Sequence, residues 1–241
     1  MTAPAAATRP PSLWEDLLEI FYAPTAVFER RRDTPAFGLA LLVFVVLVIV
    51  LFYAFKSVTQ PLMDAEIKRG MVQAMKSNPQ ITQEMIPKMV EAAGKWAIVG
   101  IVGASAVIPL LLGLVLWLVG KIVESKAELG QLMMVATYAM YPRLIEAISN
   151  AVQLLLLPED SIKGRYSVSL GAGRFFDPDQ ASPVLLAVVG RLDLFTLWVT
   201  FLLGVGLSVM GRIPRARAMI AAALVWVIGA IIPLIGAIRA S

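Results

Sequence analysis

Apolar residues fall in long uninterrupted blocks along this chain and do not recur at the three-to-four spacing of a surface helix. The clearest block, from about Phe37 to Phe55, contains no charge. Others run from about Trp96 to Val119, Leu129 to Leu157, Leu192 to Met210 and Ala218 to Ile238. About twenty apolar residues in a helix cross the hydrocarbon core of a bilayer. The pattern predicts an all-α fold, a polytopic transmembrane helical bundle with about five spans. Trp96 and Trp117 bracket the second block roughly 31 Å apart at the helical rise, where interfacial aromatic belts would hold them. The third block is long enough to span with a tilt or a kink at Pro142. Small residues recur in the others: Gly100 and Ala104, Gly204 and Gly206, then Ala222, Gly229 and Gly236. Such positions let helix backbones approach closely, which drives packing where lipid supplies no hydrophobic gain.

Ahead of the first block the pattern changes to an amphipathic one. Met1 to Pro11 is rich in Ala, Pro and Thr and precedes an acidic stretch, unlike a cleaved export signal, so this segment is expected to stay on the mature chain. Ser12 and Glu15 have the spacing of a capping box. The helix they open places Leu13, Leu17, Ile20 and Phe21 on one side, with Trp14 and Leu18 widening that face, and Glu15, Asp16 and Glu19 on the other. Pro24 stops it well short of a span. It reads either as an interfacial helix lying in the membrane surface or as a helix packed on the protein's own cytoplasmic ends. Residues 1–35 thus form an N-terminal segment and residues 36–241 the membrane domain.

Basic residues in short loops set the orientation. Arg30, Arg31 and Arg32, then Lys121 and Lys126, then Arg212, Arg215 and Arg217 fall on one side of a five-span chain, which should be the cytoplasm. The N-terminus is then inside and the C-terminus outside. The longer outside segments, Lys56 to Lys95 and Pro158 to Gly190, offset their basic residues with Asp64, Glu66, Glu84, Glu91, Glu159, Asp160, Asp177 and Asp179. The first reads as a helical hairpin, opened at Pro61, broken at Asn78-Pro79 and reopened near Thr82. Met71, Met75, Met85 and Met89 give it adaptable apolar faces, suited to a partner or to the span ends. In the second, Gly171, Gly173, Pro178 and Pro183 mark turns and Phe175-Phe176 touches the membrane surface.

Composition agrees with lipid as the main solvent: 59% hydrophobic residues, 16% charged and a mean hydropathy of +0.78. A formal net charge of +4 gives no reason to invoke nucleic acid. Cysteine and histidine are both absent, which removes disulfides, thiolate metal sites, thiol nucleophiles and imidazole chemistry together. No Gly-flanked serine, intramembrane aspartate pair or phosphate loop appears, so no catalytic residue, cofactor or metal site is expected and the chain is read as not an enzyme. Candidate chemistry sits in the third block, where Arg143, Glu146, Asn150 and Gln153 fall within roughly an 80° arc of one helix face. Each intramembrane charge costs on the order of 2.5 to 3.5 kcal/mol, so this seam should face the bundle. Arg143 and Glu146 are spaced to pair, and Asp193 at the start of the fourth block offers Arg143 another partner. The seam reads as interhelical glue, as the lining of a transport or binding cavity, or as part of a subunit interface, including one between copies of the chain.

The stretch Leu17 to Pro35, LLEIFYAPTAVFERRRDTP, resembles the start of the Yip-one domain family (Ypt-interacting-protein-like), where an amphipathic entry, a proline and a short basic helix lead into the first span. Leu192 to Gly206, LDLFTLWVTFLLGVG, is similar to the start of the fourth span in prokaryotic members. Tyr166 to Leu170 with Phe175, Phe176 and Pro178 resembles the segment before it. The resemblance implies five spans and a cytoplasmic N-terminus, and it offers no catalytic residues. For eukaryotic members it implies membrane traffic through Rab-type GTPases or partner membrane proteins, and some prokaryotic members are linked to ABC exporters. The expectation is a non-enzymatic integral membrane protein of a bacterial cytoplasmic membrane, in contact with lipid and other membrane subunits. It would act as scaffold or accessory subunit beside an ABC-type exporter or in trafficking. The alternative is a small transporter or lipid-handling protein that uses the polar seam.

Overall fold

A computed structural model describes residues 12–35, 37–77, 80, 82–158 and 161–240. The segment Met1 to Pro11, the Asn78-Pro79 break and the pair Glu159 and Asp160 lie outside the described residues. Nine α-helices account for most of the rest: α1 (Leu13–Glu19), α2 (Pro24–Arg31), α3 (Gly38–Ser77), α4 (Ile86–Ile122), α5 (Leu129–Ala139), α6 (Pro142–Leu156), α7 (Pro183–Val189), α8 (Leu194–Gly211) and α9 (Arg215–Ala240). Among the described residues, four helices are long and apolar enough to cross a membrane, namely α3, α4, α8 and α9.

The apolar blocks at 37–55 and 96–119 are each the inner part of a longer helix. Helix α3 has 40 residues and α4 has 37, so they reach about 60 and 55 Å against a core of about 30 Å. Pro61, expected to open a separate helix, lies inside α3. Its ring removes one backbone donor without ending a helix that the neighbouring turns sustain. The third block, 129–157, is divided. Helix α5 ends at Ala139, Met140 and Tyr141 form the turn, and Pro142 opens α6, because proline's missing N–H and fixed φ suit a first helical turn.

Helix α8 is the centre of the bundle, lined on its sides by α2, α5, α6 and α9. Glycines allow this. A Cβ on Gly206 would run into the side chain of Val135 on α5, and one on Gly204 would meet Met219 on α9. Ala222, also expected to pack, is buried beside Gly204. Gly113 of α4, not singled out in the sequence, brings its backbone close to that of α5: a Cβ there would sit 2.7 Å from Met133 Cα. Gly100 and Gly236 have no neighbour within 4 Å and pack nothing.

Helix α3 starts partway up the bundle. Tyr141, at the α5–α6 turn, donates from its hydroxyl to Ala40 O at 2.6 Å and meets Phe44 with tilted rings, centroids 5.5 Å apart. The space on the near side of that first turn is taken by α1 and α2, with Val27, Phe28 and Ile20 fully buried. Ser12 stands at the start of α1 as expected, yet its side chain makes no capping bond.

Candidate functional site

The seam residues of α6 meet the start of α8 where a short loop turns inward. Asp193 caps α8, its Oδ1 accepting from the backbone N–H of Phe195 at 3.0 Å and of Thr196 at 3.1 Å. A carboxylate at a helix N-terminus satisfies orphan donors and complements the helix dipole. Arg143 is the hub. It donates to Glu146 at 2.6 Å and to the Thr196 hydroxyl at 2.9 Å, and it stands 4.0 Å from Asp193 Oδ1. The second oxygen of Asp193 accepts from Ser169 at 3.3 Å, and Gln153 donates to Val168 O at 2.8 Å. The predicted seam is thus brought together across α6, α8 and the segment 165–171. Asn150 is half-buried on the same face, and no hydrogen bond of its side chain is found among the described residues. Each charge has a counter-charge or a polar partner in contact, so the arrangement can hold α6, α8 and the segment 165–171 in register.

The loop that delivers Asp193 is built from close backbone contacts. Gly171 pairs with Asp193 in an isolated antiparallel bridge, flanked by bonds from Ala172 N to Leu192 O at 2.9 Å and from Leu194 N to Leu170 O at 3.2 Å. A Cβ on Gly171 would strike Asp193 Cα at 2.7 Å, so only glycine fits. Nearby, Arg191 donates to Trp226 O of α9 at 2.7 Å and lies over the Trp226 ring, 5.4 Å from its centroid. Trp226 Nε1 donates back to Arg191 O at 3.3 Å. Sequence reading passed over Arg191 because it stands in the boundary between two blocks. The signal available was Trp226 inside the last apolar block, a cation–π partner that lowers the cost of placing a guanidinium there.

A second buried ionic cluster was also missed. Asp16, placed on the polar face of α1, is fully buried and turned into the protein. It accepts from Arg30 at 2.8 Å and from Arg31 Nε at 2.6 Å, while Arg30 also bonds Glu19. The hydrogen bond from Arg30 to Glu19 is the main cause raising the arginine's pKa, opposed by partial burial and helped by the Asp16 charge. The cluster lies against Tyr138 of α5, and Gln131 ties the strand of chain that follows by donating to Arg32 O at 2.9 Å. Two of the three arginines read as a marker of orientation therefore also clamp α1 to α2. Of the candidate interfacial residues, Leu17 is buried in the core, Leu13 and Phe21 pack against it, and Phe21 meets Trp198 edge-on with centroids 5.8 Å apart. Trp14 and Leu18 face outward, in line with Tyr22.

A family model describing the Yip1 domain matches residues 18–236, nearly the whole length, with the Arg143 cluster inside it and Asp16 of the second cluster just outside. The chain belongs to the Yip1 domain family. No curated protein and no solved structure matches it. The Yip1 match, with several apolar membrane-length helices, makes this an integral membrane protein of a trafficking-type family that is not known for enzymes. Within the Yip1 chain, the match begins at Leu18, just after the buried Asp16, so the α1–α2 clamp stands at the family domain's leading edge.

Proposed function

We propose that the protein acts by interaction, as a scaffold or accessory subunit of a membrane complex. The observation that carries this reading is the outer half of the α3–α4 pair. Past their apolar runs α3 continues for about 33 Å and α4 for about 15 Å, lengths that a span alone does not need. Segment 161–182 is strapped to this arm: Arg69 bonds Lys163 O and pairs with Asp179 at 3.0 Å, and Glu66 accepts from Arg165 N at 2.8 Å. The arm keeps Met85 exposed, with Met71 and Met89 half-buried, an adaptable surface for a partner subunit. A place beside an ABC-type exporter or in trafficking, in a bacterial cytoplasmic membrane, belongs to this same proposal.

The topology proposed with it has five crossings. Helix α5 begins where Lys126 N bonds Gly211 O, beside the ends of α4 and α8, and α6 ends where Gln153 reaches the segment held on the outer arm. The pair α5–α6 thus makes the fifth crossing in two pieces, which puts the N-terminus inside and the C-terminus outside. In this topology α1 lies at the inner membrane surface with Trp14, Leu18 and Tyr22 toward lipid. Purification in mild detergent should bring down a stoichiometric partner, and replacing residues 62–90 by a short turn should lose it. Recovery of this chain alone across several detergents, or a partner retained without the arm, would count against the reading.

A further inference from the structure

Two spans of this chain end side by side with a lysine each. The apolar run of α3 stops at Phe55 and Lys56 follows; the run of α4 starts at Trp96 and Lys95 precedes it. Between the helices at this level lies a groove of about 400 Å³. Its floor is apolar and comes from both sides, Phe52, Met63 and Ile67 of α3 and Ile98 of α4, while Lys56, Lys95 and Glu91 stand on its rim. Lys95 pairs with Glu91 at 2.7 Å, and Lys56 has no ion pair among the described residues. The rim therefore keeps one net positive charge above an apolar floor.

From this geometry we infer that the groove is a binding site for an anionic glycerophospholipid of the leaflet on that side. The single negative charge of a phosphodiester matches the uncompensated Lys56, with Lys95 able to turn from Glu91 toward the same phosphate. One acyl chain lies along Phe52 and Ile98, and the exposed Tyr53 ring takes the glycerol level, where amphipathic aromatics settle. A zwitterionic headgroup adds an ammonium that the lysine rim repels. Free phosphate would satisfy the rim and leave the floor against water, so the lipid is the occupant. This inference stands apart from the scaffold reading and survives if no partner protein is found.

Native mass spectrometry of the full chain, loaded in turn with phosphatidylglycerol and phosphatidylcholine, tests it. The wild type should retain the anionic lipid about fivefold better, the gain expected for one lysine near an anionic lipid surface. Lys56→Gln together with Lys95→Gln leaves Glu91 as the remaining charge on the rim and should abolish or reverse the preference. Equal retention by the wild type overturns the proposal, as does a preference that the double variant keeps. Glycerophosphate displacing the lipid at equal concentration would show a free-phosphate site and overturn the acyl half. If the double variant does not fold, a phosphatidylglycerol with a photoreactive acyl chain decides on the wild type. Crosslinks should map to peptides holding Phe52 and Ile98, and labelling confined to other helices would refute the site.

Discussion

Helix α3 opens with the most apolar run in the chain and α8 is visibly less so, yet 11% of α3's most apolar window is buried against 61% of the same window in α8. In water the order would be reversed. In a bilayer the lipid tails are as apolar as leucine, so hydrophobicity decides that a helix enters the membrane and has little say in which helix sits at the centre. Position is decided by what lipid cannot replace: neighbouring side chains seated against the α8 backbone at Gly204 and Gly206, and interhelical polar contacts at Asp193 and Thr196. Along its apolar run α3 has one such contact among the described residues, at Ala40 O near its start, and most of the run faces lipid.

The largest effect should come from the ionic clamp beside α8. Asp16→Ala leaves Arg30 and Arg31 without their buried carboxylate and should cost about 3 kcal/mol, the scale for breaking such a pair by removing one partner. It would be read as a lower melting temperature in detergent with α1 freed to proteases. An unchanged melt would mean that α1 and α2 do not belong to the folded unit. Next, Gly206→Leu forces a side chain into Val135 and should cost about 2 kcal/mol or more by overpacking. In the seam, Arg143→Leu should lower stability by about 1 to 2 kcal/mol, the range for interhelical polar contacts in membranes. Adding Glu146→Leu should restore part of this if the pair is glue. If the single variant instead melts like wild type but blocks lipid or solute movement in vesicles, the seam serves transport.

Smaller effects belong to the periphery. Arg69→Ala releases the strap on the α3 arm and should change global stability by under about 1 kcal/mol, while cleavage within 171–181 quickens. The Lys163–Asp177 pair at 2.6 Å gives that strap a pH dependence. The hydrogen bond from Lys163 is the main cause lowering the Asp177 pKa, so its contribution is present above the ordinary 3.8 and is lost as pH falls below it. The hydrogen bond to Asp177 likewise raises Lys163, whose contribution is complete below 10.5 and is lost as pH rises beyond it. Protection of the loop from proteolysis should hold between those limits and fail outside them. Least of all, Gly100→Leu on the lipid face of α4 should stay within about 0.5 kcal/mol of wild type, the counterpart that makes the Gly206 result informative.

Much of this was legible beforehand. The apolar blocks at 37–55, 96–119, 192–210 and 218–238 each correspond to a continuous helix to within two residues at the start, since block length against bilayer thickness is a local property. The pairing of Arg143 with Glu146, and its approach to Asp193, followed from helical spacing and from the cost of lone charges in lipid. The burial of Asp16 was not legible, because amphipathic periodicity assumes that the charged face meets water. Here that face meets two arginines eleven or more residues along the chain.

What the sequence determined alone is the solvent of each segment: which stretches are helical, which enter the membrane, and where charges need partners. These depend on local composition and helical period. The tertiary structure decided that α8 stands at the centre and that α3 begins partway up. It also decided what the turn before Pro142 touches, since Tyr141 and Ala40 meet only once α3 is packed on the α5–α6 turn. Arrangement within a membrane rests on close approaches and polar pairs between residues far apart in the chain, and no local pattern records which of them will touch.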